Sequence, residues 1–216
     1  MTSGRYRDDM NVLIHTLEQA CVLVTLAFAL SRAHIVAPPS DRDASPSRRV
    51  LLLMSFLAMA LTEELVARQY TPMSARIVAA CAAGLLGGPV VGGAVGLGAA
   101  VLRYALGLTP PVAFGLAMTA GGIAGGLIQR LRPRWALRSF AGLILGASVT
   151  LLRYALTSAL GHVLAGVEPP LPLELEAMTA VVNGAGVALI LKVVEQVRTL
   201  EDASRAAALA EVRALQ

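Results

Sequence analysis

Apolar runs separated by short polar segments occupy most of the chain. Most runs are about 20 residues long, which lets an α-helix cross the ~30 Å hydrocarbon core of a bilayer. A shorter run ends at Gly87-Gly88-Pro89, where two glycines and a proline predict the end of one helix and the start of the next. The predicted spans are residues 10–32, 50–67, 74–87, 90–106, 112–131 and 137–164, and a last span that begins near residue 173. They give seven crossings, or six if the short run is re-entrant.

Composition supports an all-α, polytopic transmembrane helical bundle. The chain is 56% hydrophobic and 15% charged, with a mean hydropathy of +0.68, whereas soluble domains carry about 25% charged residues. Aromatic residues make up only 4% of the chain, and there are 20 glycines. This combination favours close, glycine-rich packing of helix backbones. The net charge of +4 is concentrated at helix ends and loops, so it does not indicate a nucleic-acid partner.

Loop charges predict the orientation in the membrane. The segment 130–138 contains four arginines and no acid, so it is predicted to face the cytoplasm. The segment 33–49, which contains three arginines, is placed on the same side. The acidic, proline-rich segment 168–176 contains three glutamates and no base, so it is predicted to lie outside. Seven crossings then put the N-terminus outside and the C-terminus in the cytoplasm.

A sequence frame occurs twice in the apolar runs. The string LRYAL covers residues 102–106 and again 152–156, and each copy follows two glycines at the same offsets. The glycines are Gly92 and Gly96 in the first copy and Gly142 and Gly146 in the second. The glycines predict close helix packing in both copies. The arginine of each copy needs a physical reason, because a charged side chain inside lipid is costly.

Beyond residue 192 the pattern changes to that of an amphipathic helix. Apolar residues recur at helical spacing among alternating acids and bases, and Glu201 and Arg205 form an i,i+4 pair. We therefore divide the chain into a transmembrane domain, 1–192, and a cytoplasmic signalling helix, 193–216. The helical pattern continues to Gln216 without a turn or capping residue, so we expect a further domain after it.

The run from Arg76 to Gly107, RIVAACAAGLLGGPVVGGAVGLGAAVLRYALG, resembles the membrane sensor region of LytS-type histidine kinases. The matching features are an arginine, the string GLLGGP, and a glycine-rich helix that ends in R-Y-x-x-G. The resemblance implies a bacterial inner-membrane protein that dimerises through its C-terminal helix. It also implies that the full-length protein is a histidine kinase with a response regulator as partner, and that this chain, which lacks the kinase domain, is not an enzyme.

The same G-P-x-x-G helix pair is similar to the substrate-binding subunits of energy-coupling-factor vitamin transporters. That similarity implies a six-helix core with one added N-terminal helix, and it leaves open an alternative function as a transporter's binding subunit. In many LytS-type sensors the turn after R-Y-x-x-G reads G-F-T-A-L-A-C and is followed by a serine. Here residues 108–114 read LTPPVAF, so the resemblance does not identify the ligand.

Five residues are candidates for a ligand site. With the orientation above, Arg76 begins one helix near the outer face, and Arg103 and Arg153 lie near the ends of two others at the same face. If the three converge, they form an anion site, because a guanidinium group binds carboxylate or phosphate with two parallel hydrogen bonds. Alternatively, each reaches the membrane surface independently. Tyr104 is either a hydroxyl donor in the site or an interfacial tyrosine. Asn183 is either a ligand contact or a polar link between helices.

A second group of residues is predicted to be structural, because these residues permit a helix break and close packing. The group is Gly84, Gly87, Gly88, Pro89, Gly92 and Gly96. No catalytic motif is present, and the three histidines are too scattered to predict a metal site. We expect no cofactor. The leading hypothesis is a sensor of a small extracellular anion such as a carboxylate, and a ligand-free sensor of lipid or membrane potential is a further alternative.

Overall fold

The computed structural model describes residues 46–66, 74–107, 111–161 and 172–214, together with isolated helical residues between positions 21 and 29. Within these ranges the chain forms helices and no strand. The helices are α1 (Pro46–Val66), α2 (Ala75–Gly87), α3 (Pro89–Ala105), α4 (Pro111–Leu131), α5 (Pro133–Ala136), α6 (Ser139–Gly161) and α7 (Leu173–Ala214). The prediction of an all-helical bundle is confirmed.

Within the described part of the chain, three segments are long and apolar enough to cross a membrane: Val112–Leu131, Ser139–Leu160 and Leu173–Ser204. Large apolar side chains such as Leu116 and Val181 lie exposed on the outside of the bundle, as expected for surfaces that contact lipid. Most of the predicted first span, 10–32, lies outside the described residues. The choice between seven and six crossings therefore stays a prediction.

Helix boundaries follow the turn residues in the sequence. Gly88 ends α2 and begins α3 with a φ of 92°, a conformation that favours glycine over other residues. Pro89, Pro111 and Pro133 are each the first residue of a helix, where the missing N–H costs no hydrogen bond. One boundary was predicted wrongly: α1 begins at Pro46, inside the segment 33–49 that was assigned to a loop, because Pro46 itself starts the helix.

The short helix α2 is the centre of the bundle. Every residue from Ile77 to Leu86 is buried, and α2 contacts α1, α3, α4, α6 and α7. Its 13 residues rise only about 20 Å, less than the ~30 Å thickness of a bilayer core. The element on which the others pack is therefore a helix too short to span the membrane by itself.

Close backbone contacts join α2 and α3 into a hairpin and press both against α4. A Cβ added at Gly92 would lie 2.6 Å from the Cα of Gly84 and would overlap the carbonyl oxygen of Gly122. A Cβ at Gly96 would lie 2.7 Å from the carbonyl oxygen of Met118. These contacts involve backbone atoms, which cannot rotate away. The glycines of the first frame thus set the distance between α3 and α4.

The second frame packs in the same manner against another helix. A Cβ at Gly146 would lie 2.9 Å from the carbonyl oxygen of Asn183 and 2.9 Å from the Cα of Gly184. A Cβ at Gly142 would lie 2.8 Å from the Leu191 side chain. The two copies of the frame therefore build two close helix pairs, α3 with α4 and α6 with α7.

A polar link holds the first turn of α2 in the interior. The backbone N–H of Ser74, the residue before α2, donates to Asn183 Oδ1 at 2.6 Å. The amide nitrogen of Asn183 donates to Thr150 Oγ1 at 3.0 Å, and that hydroxyl donates to the Gly146 carbonyl at 2.9 Å. Asn183 is fully buried and lies about 15 Å along α7 from Leu173. Thus α2 begins inside the bundle, linked to both α6 and α7.

Adjacent glycines of α3 provide a matched test of this packing. We expect Gly92→Ala to lower the free energy of unfolding by about 1–3 kcal/mol or more, because its methyl group would collide with the backbone of α2 and α4. Gly93→Ala meets only the flexible side chain of Ile123, at 3.1 Å, so it is expected to be near neutral. Thermal unfolding of both variants in detergent, followed by circular dichroism, measures the difference. Equal melting temperatures for the two variants would contradict the close contact.

Candidate functional site: three arginines around Phe114

Three guanidinium groups surround one aromatic ring at one end of the bundle. The guanidinium carbons of Arg103, Arg76 and Arg153 lie 4.7, 4.8 and 5.9 Å from the centroid of the Phe114 ring. Phe114 is 5% exposed. Cations at these distances are attracted by the ring's quadrupole, and the attraction strengthens when water is excluded. We call Phe114 with these three side chains the arginine cluster.

The directions of the helices bring these residues together. Arg76 lies in the first turn of α2 and Arg103 in the last turn of α3, and the hairpin at Gly88 brings those two ends side by side. Phe114 lies in the first turn of α4, while Arg153 approaches from the second half of α6. The three arginines singled out in the sequence thus occupy one site, although they come from three helices.

Glu63 of α1 binds both the side chain and the backbone of Arg76. Its Oε1 lies 3.0 Å from Arg76 Nη2, and its Oε2 accepts a 2.6 Å hydrogen bond from the backbone N–H of Arg76. The carboxylate therefore also neutralises part of the positive charge at the N-terminus of α2. The Glu63 side chain is 4% exposed and that of Arg76 is 15% exposed, so this pair lies largely away from solvent.

Glu176 of α7 makes the matching contact on the other side. Its Oε1 accepts a hydrogen bond from Arg153 Nη2, and its side chain is 1% exposed. The prediction that Glu176 lies in a loop is wrong, because Glu176 lies in the first turn of α7 and is buried, in contact with Arg153 of α6. A carboxylate on α7 thus already occupies one face of the arginine cluster.

The remaining candidate residues lie elsewhere. Tyr104 follows Arg103 in the chain, but 75% of its surface is exposed, which places it on the outside of the bundle. Asn183 is buried about two helical turns along α7 from Glu176, and both ends of its amide are bonded within the protein. These contacts match the polar link between helices. A ligand role for either residue stays a prediction.

Sequence reasoning did not identify Phe114, Glu63 or Glu176 as members of the site. Glu176 carried a usable signal, since it lies seven residues before Asn183 and two helical turns place both residues on one face. Glu63 lies near the end of a predicted apolar span. An acidic residue at such a position can face solvent or form an ion pair, so the sequence did not single it out. Phe114 carried no distinguishing signal, because its role depends on arginines from three other helices.

The chemistry available at the site is the binding of anions. Guanidinium groups stay protonated at any physiological pH and offer planar pairs of donors that match a carboxylate. Glu63 and Glu176 show that the cluster accommodates carboxylates at two positions. Among the described residues, no group of three histidine, cysteine or acidic side chains could hold a metal ion.

Comparisons with known proteins place the sequence in a family. The family model described as the 5TMR of 5TMR-LYT matches residues 35–197. Sensor histidine kinases named BtsS, from Escherichia coli K12, a second Escherichia coli strain and Shigella flexneri, are 27% identical over 128 residues. That alignment covers 58% of this chain but 23% of each relative, so the chain corresponds to a fraction of their length. No solved structure matches.

The family match extends from before α1 into α7 and includes every residue of the arginine cluster and both of its carboxylate partners. The chain therefore belongs to the 5TMR-LYT family, the membrane sensor region of LytS-type histidine kinases.

Proposed function

We propose that this sensor domain detects a small anion of the carboxylate class, bound by the arginine cluster. The observation that carries the proposal is the placement of Arg76, Arg103 and Arg153 within 6 Å of one buried ring. Three guanidinium groups around one ring offer several donors to a small acid. The N-terminus of α2 adds positive charge from its backbone, as at the half-helix ends that bind anions in transporters.

A ligand at this site would displace Glu63 or Glu176 from the arginines. Both carboxylates bind guanidinium groups of the cluster, so an incoming anion would compete with them for the same donors. Glu176 is the more consequential of the two because it lies on α7. Displacing it from Arg153 removes a contact that ties the start of α7 to α6.

Helix α7 provides a direct path from the site to the opposite end of the bundle. It runs without interruption from Leu173 to Ala214, and it crosses the proposed boundary between residues 192 and 193 as one helix. A shift at Glu176 is therefore transmitted along a single rigid element. In this proposal the helices have two arrangements, one with and one without the contact between Arg153 and Glu176. The ligand shifts the equilibrium between them by the difference in its affinity for each, typically about 1–3 kcal/mol.

The complete protein is proposed to be a bacterial inner-membrane histidine kinase that contains this chain as its input domain. In that protein, α7 would continue towards the kinase domain, and two copies would pair through the segment 193–216. The kinase would phosphorylate itself and then a response regulator. The arginine cluster would face the outside, with the N-terminus outside and the C-terminus in the cytoplasm. Support comes from the family match, which ends at residue 197 within α7.

Ligand-dependent stabilisation tests the anion site. Small carboxylates, inorganic phosphate and vitamins would be screened for an increase in the melting temperature of the chain in detergent. A true ligand at about 100 times its Kd adds about 2.7 kcal/mol to the free energy of unfolding. We expect one class of acid to stabilise the wild type and to have no effect on Arg103→Gln. A stabilising vitamin without a carboxylate would instead favour a transport-related binding subunit.

The control is Arg130→Gln, which removes an exposed arginine from the last turn of α4, away from the cluster. It should respond to the acid as the wild type does. Arg103→Lys is informative if Arg103→Gln unfolds, because lysine keeps the charge but loses the paired donors. A folded wild type that no anion stabilises, or an equal response in Arg103→Gln, would contradict the anion site.

Neutralising the internal competitor provides a second prediction. We expect Glu176→Gln to bind the acid about tenfold more tightly. The variant removes the negative charge that competes for Arg153, and relief of about 1.4 kcal/mol of repulsion corresponds to a tenfold change in Kd. Calorimetric titration of the wild type and the variant measures the change in Kd.

Glu174→Gln is the matched control, since Glu174 lies two residues earlier in the same turn but is exposed. Solvent screens its charge, so the Kd should change by less than about twofold. Weaker binding by Glu176→Gln would show that Glu176 helps to hold the ligand instead of competing with it.

A further inference from the structure

A second cationic site lies at the end of the bundle opposite the arginine cluster, where α4 passes into α6. A depression of about 340 Å³ there is lined by Arg132, Pro133, Arg134, Trp135 and Arg138. We call it the α5 pocket. It shares no residue with the arginine cluster, and nothing in the proposed sensing mechanism uses it.

The local fold explains why the arginines gather at this point. Helix α5 is a single turn, closed by hydrogen bonds from the N–H groups of Trp135 and Ala136 to the Arg132 carbonyl. Ala136 is fully buried and anchors the turn against the bundle. The side chains of Arg132, Arg134 and Arg138 lie exposed around this anchor.

Charge in the α5 pocket is not balanced from within the described part of the chain. The segment 130–138 contains no acid, and no described carboxylate forms an ion pair with Arg132, Arg134 or Arg138. This differs from the arginine cluster, where Glu63 and Glu176 are already in place. The pocket therefore offers three cationic side chains to an external anion.

Apolar surface on both sides of the pocket identifies the kind of anion. Leu131 is 79% exposed and Phe140 is 62% exposed; Leu131 lies immediately before Arg132, and Phe140 lies two residues after Arg138. Trp135 lines the pocket itself, and tryptophan is typical of the level of lipid headgroups. A phospholipid can bind both surfaces, because its phosphate can contact the arginines while its hydrocarbon contacts Leu131 and Phe140.

We propose that the α5 pocket binds the headgroup of an anionic phospholipid, with its phosphate on Arg132, Arg134 and Arg138 and its acyl chains along Leu131 and Phe140. Each basic residue near a charged membrane surface contributes about fivefold to the affinity for anionic lipid. A bound lipid would fix the α4–α6 connection, the part of the bundle from which α6 leads back to Arg153.

The chain contains a single tryptophan, Trp135, so its fluorescence reports on this pocket. The chain would be placed in vesicles of unlabelled phosphatidylcholine that contain an increasing mole fraction of either dibromophosphatidylglycerol or dibromophosphatidylcholine. Bromine quenches tryptophan only at short range. We expect phosphatidylglycerol to quench Trp135 at several-fold lower mole fraction than phosphatidylcholine. Equal quenching by the two lipids would overturn the proposal.

Two triple variants with the same loss of charge separate the pocket from a general surface attraction. Arg132→Gln/Arg134→Gln/Arg138→Gln should abolish the preference for phosphatidylglycerol. Arg48→Gln/Arg49→Gln/Arg130→Gln, which removes three arginines outside the pocket, should retain most of it. An equal loss in both variants would overturn the proposal in favour of nonspecific attraction.

Inorganic phosphate in lipid-free detergent distinguishes a headgroup site from a site for free phosphate. We expect millimolar phosphate to leave the emission of Trp135 unchanged, while short-chain phosphatidylglycerol shifts it. A shift with phosphate that matches the lipid's effect would overturn the assignment to a lipid.

Discussion

The cost of placing charge in an apolar interior governs this structure. Arginines in the membrane-embedded part of a helical bundle require partners of opposite charge, an aromatic face or water. Here Glu63 and Glu176 supply carboxylates, and Phe114 supplies a ring that all three arginines share. Because the partners come from α1, α4 and α7, satisfying these charges fixes the relative positions of most of the bundle. The same contacts create a site at which an external anion can compete.

Glycine makes the geometry possible. The backbones of α2, α3 and α4 approach so closely at Gly84, Gly92 and Gly122 that no side chain fits between them. This allows the short helix α2 to occupy the centre and to begin inside the bundle, where Asn183 accepts a hydrogen bond from the buried N–H of Ser74, the residue before α2. A helix that begins in the interior can direct its positive end towards a buried site. The glycines of the first frame therefore hold the helices together and also position the N-terminus of α2 beside the arginine cluster.

The sequence predicted the helices closely because apolar runs, prolines and glycines act locally. Helices α2, α3 and α4 begin within one residue of their predicted starts. The predicted directions of the helices put the three arginines near one face, and the structure brings them to one ring. The roles of Phe114 and Glu176 were not predicted, because both depend on contacts between distant helices. Glu176 was predicted to lie in an acidic outer loop, and only its spacing of seven residues from Asn183 indicated a shared face of α7. Only the approach of Arg153 from α6 makes it a buried partner.

The central claim is that the contact between Arg153 and Glu176 controls the position of α7. Spin labels at the exposed residues Leu131 and Leu200, with Cys21 and Cys81 replaced by alanine, would report the distance between α4 and the distal part of α7. Labelled chains diluted with unlabelled ones would be measured by pulsed electron resonance for the wild type and for Glu176→Gln. The account predicts a shifted distribution or a second population in the variant. Superimposable distributions from two folded proteins would contradict it.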